Sequence, residues 1–295
     1  MSEHPSRAAR ILVFAGVLAA SALGVGCLPG RRAAVHYRPS AQEVLAEERM
    51  LSQPFAIAVP EDAIVRIVGR STTCTGTLID DDLILTAHHC VAVRGPKGEF
   101  QARNLEPGDL RVELGGDDFA WGEVGVRHVV TPPCGEGGGA GDVAVLVLSR
   151  KLIGISTMTA RLEAPPKVGE DVYPIGFGRC ALSADAIHRR TRSGGPIRAI
   201  SGETLHVDAS ICPGDSGGPV LLAGSREIVG VVSLSAMDHD ERTVGPSVMA
   251  RIDSYRMVFT HARMLADGDM SPAELPPLEC GTYAAKSPTK PSHER

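Results

Sequence analysis

Residues 212–219 read CPGDSGGP, a glycine-rich turn built around a single serine. Glycines beside the serine allow the backbone to bend sharply and to present one hydroxyl group. A nucleophilic serine also needs two backbone N–H groups that point to one spot, where they stabilise the oxyanion of a tetrahedral intermediate. Glycine, serine, proline and aspartate also form ordinary turns, so the rest of the chain has to supply the other parts of such a site.

The turn resembles the nucleophile loop of the trypsin- and chymotrypsin-like serine proteases, which reads G-D-S-G-G-P. The resemblance implies that Ser216 is the nucleophile and that the N–H groups of Gly214 and Ser216 form the oxyanion hole. Pro213 has no N–H group, but it occupies a position that the hole does not use.

A histidine motif lies upstream of this turn. Residues 85–90 read LTAHHC and follow a short apolar run that predicts a strand. They resemble the T-A-A-H-C motif of the same family, and alignment on Cys90 makes His89 the general base. His88 stands where the family usually has alanine, and we expect it to be a partly exposed bystander.

The third motif is an aspartate at the start of an apolar run, residues 141–148, GDVAVLVL. Alone it would be read as a turn aspartate before a strand, but it resembles the family's D-I-A-L-L strand. A carboxylate buried there is costly unless it is paired, and its partner would be the ring N–H of His89. The order His89, Asp142, Ser216 is that of the chymotrypsin-like enzymes, so the chain is identified as a member of the family over roughly residues 60–265.

The rest of the pattern predicts an all-β fold. From residue 63 onward, short apolar runs alternate with Gly, Pro and Asp turns, as in antiparallel barrels. The resemblance implies two six-stranded antiparallel β-barrels, about residues 59–155 and 156–252, followed by a C-terminal helix over residues 254–266 with Asp253 as its N-cap. The candidate strands are residues 83–85, 126–130, 143–148, 172–177, 205–207, 220–222, 228–234 and 247–252.

The cysteines indicate disulfides rather than metal ligands, because no Cys-x-x-Cys or His-x-x-x-His spacing occurs. Residues 74–79, CTGTLI, resemble the family's C-x-G-[ST]-L-[IV] strand, whose cysteine bridges to the one after the catalytic histidine. The resemblance therefore implies a Cys74–Cys90 disulfide.

The remaining pairs are less directly implied by the family. Cys212 normally pairs with a downstream cysteine near the pocket wall, and this chain has only Cys280 downstream. Residues 176–180 resemble the family's G-W-G loop beside the active site, so we predict a Cys180–Cys212 disulfide. Cys134 and Cys280 would form the third pair.

The odd cysteine, Cys27, lies at the end of a leader. Arginines precede residues 11–26, an apolar run shorter than the about 20 residues that a membrane span needs. We interpret residues 1–27 as a secretory signal. Residues 23–27, LGVGC, resemble a bacterial lipobox with its leucine one position too far back, which predicts lipidation of Cys27.

Two alternatives to lipidation stay open. Cleavage after the A-S-A of residues 20–22 would release a soluble protein with Cys27 unpaired, and an uncleaved leader would form a single-span anchor. Residues 28–58 are polar and form a tether or a pro-segment. Residues 267–295, rich in Pro, Lys and Ser, are predicted to be a mobile tail.

Activation is where the chain departs from the family. Many members are zymogens whose cleavage frees an Ile-Val-Gly-Gly amine, which then pairs with the aspartate before the serine, here Asp215. Residues 66–70, RIVGR, lie too close to Cys74 for that role, and nothing similar occurs near residue 48. We therefore expect Asp215 to pair with another cation.

The S1 pocket is predicted from three serines. In the family, the residue six positions before the nucleophile lies at the base of the pocket, here Ser210, which has no charge. Ser235 and Ser247 replace two wall glycines and narrow the pocket, so the predicted P1 residues are small or medium and uncharged. Alternatively, a shifted loop would let Asp208 select basic residues.

Composition limits the remaining possibilities. A net charge of −5 gives no indication of nucleic-acid binding, and arginine strongly outnumbers lysine, as in GC-rich bacterial genomes. We expect a monomeric, extracytoplasmic bacterial endopeptidase, secreted or attached to the envelope, that acts on proteins or peptides without a cofactor. The alternative is a catalytically silent family member that serves as a binding module.

Overall fold

The structure, a computed structural model, describes residues 59–278 except 71, 98, 116–119, 134–138, 180–187 and 239–242. The predicted signal, tether and lipidation site, as well as Cys134, Cys180 and Cys280, lie outside the described residues. The strands are β1 Ile64–Val68, β2 Thr73–Asp80, β3 Leu83–Thr86, β4 Ala92–Arg94, β5 Phe100–Asn104, β6 Arg111–Leu114, β7 Gly122–Val130, β8 Ala144–Leu148, β9 Asp171–Gly176, β10 Arg190–Thr191, β11 Gly195–Ser201, β12 Thr204–Val207, β13 Pro219–Leu222, β14 Ile228–Leu234 and β15 Ser247–Arg251.

Two closed antiparallel barrels contain most of these strands, as predicted. The first has the strand order β1-β2-β3-β8-β7-β6. The second has the order β9-β11-β12-β15-β14-β13 and closes through pairing of β13 with β9, while the short β10 is added to β9. Strands β4 and β5 form a separate two-stranded ribbon. The all-β prediction with six strands in each barrel is therefore confirmed.

The C-terminal helix, α1 Arg256–Asp267, packs against the first barrel, mainly on β8. This explains why β8 is buried along its whole length, since α1 covers the face that would otherwise be exposed. The helix ends at Gly268, whose φ of 77° is a left-handed conformation that glycine adopts without strain.

The predicted N-cap of this helix is wrong. Asp253 opens a short 3-10 turn, Asp253–Tyr255, and the residue before the helix proper is Tyr255, which makes no side-chain cap. The Asp253 carboxylate instead accepts hydrogen bonds from Arg251. The ion pair with a neighbouring arginine thus replaces the local cap that the sequence pattern suggested.

The first part of the predicted tail lies against the protein. Leu275 and Leu278 pack on the larger hydrophobic core, which includes the interior of the first barrel and residues of α1, and Ser271 forms a hydrogen-bonded turn with Glu274. Among the described residues, no helix combines the length and the apolar character that crossing a bilayer would demand.

Candidate active site

His89 and Asp142 meet because the strands that precede and follow them are paired. Strand β3 ends at Thr86, which pairs with Ala144 at the start of the antiparallel β8. A short 3-10 turn after β3 carries His89, and Asp142 comes just before β8. The His89 Nδ1 atom lies 2.7 Å from Asp142 Oδ2, and the His89 backbone N–H donates to Oδ1 at 2.8 Å. Both oxygens of the carboxylate therefore bind the same residue.

Asp142 is held in its charged form. Burial would raise its pKa, but the hydrogen bond and charge of the His89 ring, the Ser233 hydroxyl and the His89 N–H together bring the pKa below its ordinary value. A carboxylate in this position keeps the proton of the imidazole on Nδ1. The other ring nitrogen, Nε2, is then free to accept a proton.

The turn around Ser216 is fastened to the first barrel. The Thr75 backbone N–H donates to the Ser216 carbonyl oxygen at 2.8 Å, and the Thr75 hydroxyl donates to the Gly214 carbonyl oxygen at 2.8 Å. The sulfur of Cys90, the residue after His89, lies 3.6 Å from the Ser216 carbonyl oxygen. The structure thus brings the predicted nucleophile to the segment that carries the predicted base.

Two glycines of this turn are required by its shape. Gly214 has φ 102° and Gly217 has φ 78°, both in the left-handed region. A Cβ atom on Gly217 would lie 2.1 Å from the hydroxyl oxygen of Thr86 and 2.5 Å from the carbonyl oxygen of Thr75. Any side chain at position 217 would therefore separate the turn from β2 and β3.

The backbone N–H groups of the turn fall into two sets. Those of Asp215, Gly217 and Gly218 donate to backbone carbonyl oxygens at 2.8–3.0 Å. Within the described part of the chain, those of Gly214 and Ser216 have no acceptor. The two free donors are the pair that the family resemblance assigned to the oxyanion hole.

Arg192 is the cation that pairs with Asp215. Asp215 is 0% exposed, and its carboxylate contacts Arg192 twice, with Nε 2.7 Å from Oδ2 and Nη2 donating to Oδ1 at 3.0 Å. The N–H groups of Gly178 and Cys212 complete its contacts at 2.7 and 2.9 Å. Arg192 follows the two-residue strand β10 and carries no motif, so the sequence analysis had no signal by which to select it.

The three predicted pocket serines differ in their surroundings. Ser247 is fully buried, and its hydroxyl donates to the Ala209 carbonyl oxygen at 3.0 Å. The Ser235 hydroxyl lies 3.0 Å from that of Ser247 and must be the donor, because the single hydroxyl hydrogen of Ser247 is already used. Ser210 is exposed, and its N–H donates to the Ser193 carbonyl oxygen.

The alternative pocket residue, Asp208, has another partner. Its carboxylate accepts a hydrogen bond from Arg198 Nε at 2.8 Å. The two side chains are 51% and 58% exposed, respectively, so this pair is a surface ion pair. The Asp208 carboxylate therefore already has a cationic partner at the surface, which argues against the shifted-loop alternative.

His88 is not the partly exposed residue that we expected. It is only 8% exposed, and its Nε2 lies 2.9 Å from Asn104 Oδ1. The Asn104 amide nitrogen in turn donates to Thr131, which makes Oδ1 the acceptor and His88 Nε2 the donor. Adjacent histidines thus belong to separate hydrogen-bond networks.

The predicted Cys74–Cys90 disulfide is confirmed, with an S–S distance of 2.08 Å. The ligand atoms of these cysteines and His89 lie within 4.8 Å of one another, but a disulfide has no thiolate with which to bind a metal. Cys212 is also disulfide-bonded, to a cysteine outside the described residues. Its pairing with Cys180 stays a prediction.

The barrels, their connection order and the helix define a protein of the chymotrypsin-like fold. Residues 55–258 match the model of the protein family described as Trypsin, and the chain belongs to that family. The cercarial protease of Schistosoma mansoni is 25% identical over 201 residues, which span 58% of this chain and 73% of that protein.

Two solved structures are similar in fold. One is a Glu endopeptidase in complex with MPD, with a TM-score of 0.55 and 20% identity over 70% of this chain and 92% of the other. The second is the scabies mite inactivated protease paralogue S-D1, with a TM-score of 0.55 and 15% identity over 72% of this chain and 95% of the other. The fold is thus shared by a protein described as an endopeptidase and by one described as inactivated.

Proposed function

We propose that this protein is a serine endopeptidase that hydrolyses peptide bonds by acyl transfer through Ser216. The observation that carries the proposal is the contact between both oxygens of an ionised Asp142 and the ring and backbone of His89. An aspartate in that position orients the imidazole and stabilises its protonated form. A histidine with a purely structural role requires neither effect.

The reaction begins when Ser216 Oγ attacks the carbonyl carbon of the scissile bond and His89 Nε2 takes the hydroxyl proton. The resulting oxyanion accepts hydrogen bonds from the free N–H groups of Gly214 and Ser216. As the C–N bond breaks, His89 gives its proton to the leaving amine, and the acyl group stays on Ser216. A water molecule then attacks the ester, His89 removes its proton, and return of that proton to Ser216 Oγ releases the acid.

We propose a preference for small or medium uncharged P1 residues, such as Ala, Val, Leu or Met. The hydrogen-bonded pair Ser235 and Ser247 supports this preference, because it places two hydroxyl groups where the family has glycines. Ser210 adds no charge at the base of the pocket. A neutral, narrowed pocket cannot compensate the charge of Lys or Arg and has little room for large aromatic rings.

Fluorophosphonate labelling tests the proposed activity, because this probe reacts only with an activated serine. We expect the wild-type chain to be labelled at Ser216 and the Ser216→Ala variant to stay unlabelled. A folded wild-type chain that is not labelled and cleaves no peptide would contradict the proposal. That result would favour the second candidate function, a catalytically silent binding module; the mite paralogue of the same fold is likewise described as inactivated.

A further inference from the structure

The ion pair between Arg192 and Asp215 is buried at the turn that carries Ser216, because Asp215 is the residue before Ser216. Both side chains are buried, and an unpaired charge at either position would be strongly destabilising. The guanidinium reaches both carboxylate oxygens, Oδ1 through a hydrogen bond from Nη2 and Oδ2 through a close charge contact with Nε, so it fixes the direction of the carboxylate as well as neutralising it. Asp215 separates Gly214 from Ser216, so its orientation determines where the two free N–H groups of the turn point.

The surroundings of Asp215 are shaped for an inward-pointing carboxylate. A Cβ atom on Gly176 would lie 2.4 Å from Asp215 Oδ1, and one on Gly178 would lie 2.5 Å from its Cγ. Arg192 Nη2 also donates to the Gly178 carbonyl oxygen, next to the backbone of Gly214. Arg192 therefore binds both Asp215 and the neighbouring loop that contains Gly178, and so connects that loop to the turn of Ser216.

A second arginine, three positions earlier, holds the chain that enters the first barrel. Arg189 Nη1 donates to the Glu61 carbonyl oxygen at 2.6 Å and to Asp62 Oδ1 at 3.0 Å. Arg226 forms an ion pair with the Glu61 side chain at 2.7 Å. The entry segment is thus attached through internal groups of the chain, and its attachment needs no terminal amine.

We infer that Arg192 makes this protein competent for catalysis as a single uncut chain. This inference rests on the proposed serine-protease function. The guanidinium of Arg192 takes the place that a newly cleaved α-ammonium group takes in the family's zymogens. The ion pair between Arg192 and Asp215 forms in the course of ordinary folding, so the oxyanion-binding turn reaches its working geometry without a proteolytic step. Arg192 acts through Asp215 and is a positioning residue, since the side-chain contacts that it makes with described residues are to Asp215 and the Gly178 carbonyl oxygen.

The first experiment compares chains with different N-termini. The full-length chain and the same chain with several extra residues at its N-terminus are treated with fluorophosphonate, and the intact mass of each labelled species is measured. We expect both forms to be labelled at the same rate, with label on chains whose mass shows that they are uncut and, in the second form, that they keep the added residues. Label found only on cut chains, or lost when the N-terminus is extended, would overturn the inference.

The second experiment tests Arg192 directly, with Arg189 as the matched control. Arg192→Met should lower kcat by about 100-fold, the size of effect seen when an oxyanion-hole donor is lost, and KM should change little. Arg192→Lys should recover part of the lost kcat, because a lysine supplies the positive charge but does not contact both oxygens of the Asp215 carboxylate as the guanidinium does. Arg189→Met should lower the Tm but keep kcat within about threefold, because it removes only the attachment of the entry segment.

A folded Arg192→Met variant with wild-type kcat would overturn the inference. If that variant fails to fold, the double variant Arg192→Met/Asp215→Asn removes both buried charges and should restore folding. The double variant should still have low kcat, and wild-type kcat in it would also overturn the inference. Failure of the proposed function looks different, because then the wild-type chain, cut or uncut, is not labelled.

Discussion

Ser233 donates its hydroxyl hydrogen to Asp142 Oδ2, so a residue of the second barrel stabilises the carboxylate that orients a histidine of the first. Ser233 lies on β14, and Asp142 lies two residues before β8; the two residues are 91 positions apart. Each barrel alone would therefore hold an incomplete site. Packing of the barrels against each other supplies the hydrogen bond from Ser233, which adds to those from His89 in keeping Asp142 ionised.

The first prediction concerns the two adjacent histidines. His89→Ala or Ser216→Ala should lower kcat by about 10⁴-fold or more, because either change removes proton transfer or the nucleophile. His88→Ala should keep kcat near wild type but lower the free energy of unfolding by about 1–3 kcal/mol, because it removes a buried side chain and leaves the Oδ1 atom of the half-buried Asn104 without its hydrogen-bond donor. Peptide hydrolysis and urea unfolding measure the two effects. Low kcat in folded His88→Ala with active His89→Ala would contradict the assignment of the base.

The second prediction concerns pH. In the folded state the pKa of Asp142 is below its ordinary value of 3.8. The contacts of Asp142 therefore stabilise the folded protein most at pH values above that ordinary pKa. That stabilisation is lost as the pH falls through the lowered pKa. Ser233→Ala should therefore cost about 1.5–3 kcal/mol of unfolding free energy at neutral pH and progressively less below about pH 4.

Unfolding of wild type and Ser233→Ala at a series of pH values measures this difference. Ser225→Ala is the control, since the exposed Ser225 hydroxyl makes its hydrogen bonds with the carboxylate and the backbone N–H of its near neighbour Glu227. A difference between wild type and Ser233→Ala that stays constant down to pH 2 would show that the hydroxyl does not act through the charge of Asp142.

The third prediction concerns specificity. Ser247→Gly and Ser235→Gly should each widen the S1 pocket and raise kcat/KM for substrates with Phe or Tyr at P1 relative to Ala. We expect a change of about 10-fold or more, since the fit of a side chain to a pocket is worth about 1–3 kcal/mol. A peptide series varied only at P1 gives the ratio. Asp208→Ala is the control and should change nothing, whereas dominant cleavage after Arg or Lys in wild type would refute the neutral pocket.

The fourth prediction concerns the disulfides. Replacing Cys74 and Cys90 by alanine together should cost about 2–5 kcal/mol of unfolding free energy. Mass mapping of the oxidised protein should identify Cys180 as the partner of Cys212. A bridge from Cys212 to Cys134 or Cys280 would contradict that pairing.

The fifth prediction concerns the leader. If Cys27 is acylated, the mature protein should partition with membranes, and Cys27→Ser should release it or change its processing. Mass spectrometry of the mature N-terminus decides between the alternatives. An unmodified N-terminus at Ser21 or Leu23 would indicate plain secretion.

The sequence predicted the barrels well where burial leaves a local signal. Strand β14 was predicted with its observed bounds, and β8 and β15 to within one residue, because most of their residues are apolar and buried. Strand β11, Gly195–Ser201, was missed, because it has one fully buried side chain, Ile197, and hence neither a continuous apolar run nor a regular alternation.

The sequence by itself determined the nucleophile turn, the histidine motif and the aspartate before an apolar strand. Each is recognisable locally, since a turn with glycines at positive φ and a charged residue before an apolar strand depend on neighbouring residues only. It also showed that Asp215 needs a cation. Only the tertiary structure decided that the cation is Arg192 and that Ser233 completes the site. Both contacts join residues from different strands across a buried interior, and no local spacing encodes which of many arginines and serines will fold into that place.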